Sequence, residues 1–168
     1  SFATSEQALR VLPGSVFSIE GDAAGLPLAE RIVEDLGGRC FPIGRESKPL
    51  YHAAACVASN YLVTLLSRAV ELMALSGIPR EGCLPALLPL VEGTLHNIKQ
   101  VGIPKALTGP IARGDISTVS RHLIQMEGVD AGLAEFYRTL GMSTVEVALR
   151  KGGISEEQAE EMRRILHP

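Results

Sequence analysis

The chain contains no tryptophan, and only 4 Phe and 3 Tyr among its 168 residues. An interior drawn from its 46% hydrophobic content must therefore be built from Leu, Val, Ile and Ala, which suit close helix packing. It also lacks a charge excess: 16 basic residues stand against 19 acidic ones, a formal net charge of −3. Nucleic-acid binding needs clustered Lys and Arg to meet phosphates. The sequence has no such cluster, so nucleic acid is not an expected partner. Paired cysteines are missing as well. Cys40, Cys56 and Cys83 are odd in number and far apart, with no CxxC. They read as buried thiols of a reducing cytosol, not as a disulfide framework or a zinc site. With no basic-then-apolar leader in view, the expected location is cytoplasmic.

Several catalytic signatures are absent too. There is no GxGxxG after a strand, no phosphate-cradling GxxxxGK, no HExxH and no GxSxG. A self-contained nucleotide enzyme or metalloprotease is therefore not expected, nor is a metal site. Residues 49–67 carry no charged side chain, close to the ~20 residues of a bilayer span. His52, Ser59, Asn60 and Thr64 temper their apolarity, so a buried core helix is expected there and no membrane partner.

What is present falls into two textures. Residues 5–12 read as a short helix closed by Pro13-Gly14. Ser15 to Ile19 alternate polar and apolar residues, as a half-buried strand does. Asp22 can cap a helix that stops at Gly37-Gly38, and Cys40 to Ile43 form a second short strand. Pro42 removes a backbone donor and places that strand at a sheet edge. Strand, helix and strand make one βαβ unit of a parallel sheet. Two strands are not a stable sheet by themselves, so residues 1–45 read as the tail of an α/β domain.

Residues 46–168 read as helical. Residues 48–77 predict one long helix, apolar on nearly every face as far as Arg68 and Glu71, and hence central and buried. A second helix over residues 83–101 would bury Leu84, Leu87, Leu88, Val91, Leu95 and Ile98. Pro85 would lie in its first turn and Pro89 would kink it. Asp115 caps a helix with the stripe Ile116, Val119, Leu123 and Ile124. A stretch over residues 129–151 invites a break near Gly141. Ser155-Glu156-Glu157-Gln158 is a capping box opening the last helix.

Two places could carry chemistry. At about 100° per residue, His52, Cys56 and Ser59 lie within about 60° of one another on the long helix, with Asn60 beside them. Such a seam either satisfies its own hydrogen bonds or walls a cleft in which His52 passes a proton and Asn60 holds a substrate oxygen. The second is Leu107-Thr108-Gly109-Pro110-Ile111-Ala112-Arg113-Gly114-Asp115. Here Arg113 could grip a carboxylate or other anion bidentately, or the segment could simply close a helix end. His122 is expected as a hydrogen-bonded core or interface residue, and His96 and His167 face solvent.

The run Tyr51-His52-Ala53-Ala54-Ala55 leading to Ala58-Ser59-Asn60-Tyr61-Leu62, followed by Leu107-Thr108-Gly109-Pro110 and Arg113-Gly114-Asp115, resembles a bacterial family. That family joins a Rossmann-like domain to a helical domain of unknown function 2520. Ser1-Phe2-Ala3 and the strand before Asp22 are similar to its late Rossmann strands. The resemblance implies a mainly α chain: a helical bundle of the 6-phosphogluconate dehydrogenase C-terminal-like type, preceded by a small βαβ remnant. It implies a Rossmann domain upstream that holds NAD(P), a cofactor expected for the full-length protein only. It also implies a homodimer, and a small carbonyl or imine substrate in a crevice lined by His52, Ser59, Asn60, Thr108 and Arg113. The alternative is a non-catalytic dimerisation or metabolite-sensing module.

Overall fold

The computed structural model describes residues 4–167, apart from the side chains of Gln7 and Ala8; the Ser1-Phe2-Ala3 likeness lies outside them. The described residues form eight α-helices and one two-stranded sheet, a helical domain preceded by a small βαβ unit. They divide into two compact units, residues 1–62 and 63–168.

In the first unit, α1 (Ser5–Val11) leads through a turn to β1 (Val16–Ile19), α2 (Leu26–Asp35) and β2 (Arg39–Pro42). The strands pair in parallel, with Val16 opposite Arg39 and Ile19 opposite Pro42. Asp22 does not cap α2 directly. Its carboxylate accepts from the backbone of Ala24 and Gly25 at 3.1 and 2.7 Å, a local turn that delays the helix start to Leu26. Pro27 then sits in the first turn, where its missing donor costs nothing. Ile19 and Val33 are this unit's buried apolar side chains among the described residues.

The long helix α3 (Lys48–Leu75) begins in this unit and spans about 42 Å at 1.5 Å per residue. It forms as expected but is not buried: none of its 28 residues is enclosed by this chain. By length and composition the segment 45–75 could cross a membrane. The charge-free run marks a helix that is apolar around most of its circumference, and the described residues leave its side chains exposed or at most half-buried.

In the second unit, α4 (Arg80–Val101) behaves the same way, with Cys83 as its single buried residue. Leu84, Leu88 and Leu95 are exposed, contrary to the expected buried stripe. The helix starts at Arg80, after Pro79, so Pro85 lies in the second turn, and the helix runs on through both Pro85 and Pro89. Of the three cysteines only Cys83 is buried; Cys40 and Cys56 are half-buried, and all three are free.

The core lies further on, in α6 (Ile116–Glu127), α7 (Ala131–Lys151) and α8 (Glu156–Leu166), reached through the short α5 (Ile103–Ala106). Ile111, Val119, Leu123, Val145, Ala148, Ile154, Ala159, Met162 and Leu166 form one buried cluster. Ile124, expected in the α6 stripe, is 64% exposed; the stripe that faces α7 is narrower and runs through Val119, Leu123 and Met126. Each helix is capped by its own sequence: Asp115 accepts from Thr118 N, Asp130 from Leu133 N, and Ser155 and Gln158 form a complete capping box. Helix α7 does not break at Gly141. A Cβ there would stand 2.7 Å from Leu166 Cδ2, so the glycine lets α8 approach closely. Arg138 ties the ends together, donating to Ile165 O at 3.0 Å and pairing with Glu127.

Candidate functional site

His52 lies one turn into α3 and lines a pocket of about 680 Å³ in the first unit with Glu20, Arg45, Lys48 and Pro49. The backbone explains the gathering. Glu20 is the first residue after β1, Arg45 opens a 3₁₀ turn shortly after β2, and Lys48 opens α3. The pocket thus stands at the carboxyl ends of two parallel strands, the place where open α/β sheets bind ligands. Lys48 Nζ donates to Glu20 Oε2 at 2.7 Å. This hydrogen bond, joined by the fields of Lys48 and Arg45, holds the Glu20 carboxyl below its ordinary range.

Beyond His52 the polar seam continues along α3. His52 Nε2 lies 3.6 Å from Cys56 Sγ, a contact within the seam as the self-satisfying alternative requires. Ser59 and Asn60 follow about 10 Å up the helix by the usual rise. Both are exposed, and neither lines the pocket.

Thr108 and Arg113 belong to the second unit. Thr108 lines an apolar pocket of about 300 Å³ with Leu65, Leu72, Phe136, Leu140 and Thr144. Arg113 is exposed at the end of a 3₁₀ turn (Ile111–Arg113). The glycines beside it have structural work: Gly109 and Gly114 take φ of +97° and +67°, a region that disfavours L side chains. Asp115 accepts from Thr118 Oγ1 at 2.8 Å and Ser117 Oγ at 3.0 Å as well as from backbone. Those bonds lower its pKa, the Thr118 hydroxyl contributing most.

A second pocket of this unit, about 650 Å³, shares Leu72 and Tyr137 with the first and adds Arg121 and His122. His122 Nδ1 and the Tyr137 hydroxyl are 2.9 Å apart, so the expected hydrogen bond exists, although His122 is exposed rather than in the core. Burial raises the Tyr137 hydroxyl pKa by disfavouring the phenolate.

Sequence reasoning passed over Glu20, Arg45 and Lys48, each an ordinary surface residue when read alone. The signal that could have found them is position: all three follow strand ends or open the long helix.

The chain matches the family described as "Domain of unknown function (DUF2520)" over residues 15–144. Among solved structures, the crystal structure of protein TM1727 from Thermotoga maritima is similar at 32% sequence identity and a TM-score of 0.79. The similarity covers 90% of this chain and 60% of that one, so the chain spans less than two thirds of that neighbour's length. No curated protein matches the sequence.

Proposed function

This chain belongs to the family of domain of unknown function 2520, and from that premise we propose that it is the substrate-side and dimer-forming half of an NAD(P)-dependent oxidoreductase. The substrate would be a small carbonyl or imine compound. The observation that carries the reading is His52 in the wall of a pocket it shares with Glu20, Arg45 and Lys48, at the carboxyl ends of parallel strands. There a substrate oxygen or nitrogen can receive a proton from the His52 ring. Ser59 and Asn60, further along α3, and Thr108 and Arg113, in the second unit, are the remaining polar candidates for substrate contact.

The residues present do not themselves fit a dinucleotide. The turn after β1 reads Glu20-Gly21-Asp22, without the glycine spacing that lets a backbone approach a pyrophosphate. NAD(P) is therefore assigned to the full-length protein and not to this chain alone. Titration of NADPH and NADH against this chain and against the full-length protein tests the reading. Binding by the longer protein only supports it, and binding by neither sinks it.

The exposed apolar faces of α3 and α4 favour a second reading, a non-catalytic dimerisation or metabolite-sensing module. Either way the covering surface is assigned to a second copy of the chain, because folded monomers rarely leave large contiguous apolar patches open. His52→Ala and Arg113→Ala in the full-length protein separate the two readings. Loss of turnover marks an enzyme; unchanged ligand response with altered assembly marks the module.

A further inference from the structure

The pocket beside His52 has a property that its proton chemistry does not use. Arg45 and Lys48 converge there from two different elements, and both act on one oxyanion, the Glu20 carboxylate. We propose that this pocket binds a compact oxyanion, a carboxylate or a phosphate, between Arg45 and Lys48, with Glu20 as a built-in competitor that occupies the position when it is empty.

Three observations carry this. First, Lys48 already holds an oxyanion at hydrogen-bond distance, 2.7 Å, so the geometry for one exists. Second, the Arg45 side chain has no hydrogen-bond or ion-pair partner among the described residues, although its field reaches Glu20. Its planar fork of donors suits two oxygens of one carboxylate or phosphate. Third, the Lys48–Glu20 pair is readily exchanged. The Lys48 side chain is 64% exposed, and exposed ion pairs are weak. An incoming anion can therefore take Lys48 from Glu20 at little cost and gain Arg45 as well. His52, on the same wall, would face the atom next to the bound anion. The inference needs no nucleotide and stands if the oxidoreductase reading fails.

The test is isothermal titration of this chain at low ionic strength with inorganic phosphate and, separately, with pyruvate. One saturable site is expected. Saturation by phosphate alone identifies a phosphate ligand, and saturation by pyruvate alone a carboxylate. Arg45→Gln should weaken binding about tenfold or more, the usual size of a charge-assisted contact. Glu20→Gln should tighten it several-fold, because the competitor loses its charge. Arg150→Gln, on α7, serves as the control for non-specific charge effects, and far-ultraviolet circular dichroism checks that each variant folds. Failure of both anions to bind, Arg45→Gln binding as the parent does, or weaker binding by Glu20→Gln would each overturn the proposal.

Discussion

The helices α3 and α4 and the helices α6 to α8 are built from the same aliphatic residues, yet they end in opposite environments. In α8, and in α6 apart from the exposed Ile124, the apolar residues keep to one stripe, polar and charged residues hold the other face, and caps close the N-terminal ends. Such helices bury what they must against one another and leave a wettable exterior. In α3 and α4 the apolar residues go around the helix, and Leu50, Tyr61, Val63 and Leu90 stand 62–77% exposed. The lesson is that a helix apolar on all sides calls for neighbours on all sides, and one chain of this length does not provide them.

That contrast can be broken or sharpened by substitution. The largest effect is expected from Leu166→Ala, which opens a cavity where α8 meets Gly141 and the core. Chemical denaturation should show a loss of about 2–5 kcal/mol. Next is Gly153→Ala, whose Cβ would stand 2.7 Å from the backbone oxygen of Ala112. Backbone cannot rotate away, so a loss of about 1–3 kcal/mol is expected. Gly141→Ala, which meets side-chain carbons of Leu166 and no backbone atom among its nearest neighbours, should cost less in the same assay.

A smaller effect belongs to the Asp115 cap. Its pKa is lowered in the folded state, so its contribution is fully present above the unfolded carboxyl value and disappears as pH falls through the folded one. Asp115→Ala should lower the melting temperature by a few degrees at neutral pH. The gap from the parent should close as pH falls below about 4. The smallest change is expected from Leu90→Ala. Its side chain is 68% exposed, so the stability of the isolated chain should move by no more than about 0.5 kcal/mol. A larger loss that grows with protein concentration would show that Leu90 is covered by another copy.

Much of this architecture was legible in the sequence because it is written in local chemistry. Pro13-Gly14, Asp115 and the Ser155 to Gln158 box fix ends, and the stripe at Val119 and Leu123 fixes a face. Two kinds of feature were not legible. Periodicity could say that residues 49–67 need covering but not whether this chain does it, so the expected burial of α3 did not materialise. Gly141 looked like a helix breaker because its role depends on Leu166, 25 positions away. The candidate site divides in the same way. His52 and Cys56 could be paired from helical geometry, whereas Glu20 and Arg45 join His52 only through the parallel register of β1 and β2.

Sedimentation velocity of this chain over a range of concentrations, without detergent, tests most directly whether the open faces of α3 and α4 belong to an assembly of copies. The expected result is a species of twice the 17.9 kDa chain mass that dissociates when Tyr61 and Leu90 are replaced by Glu. A parent protein that stays monomeric at the highest concentrations, or that needs lipid or detergent to stay dispersed, would contradict it.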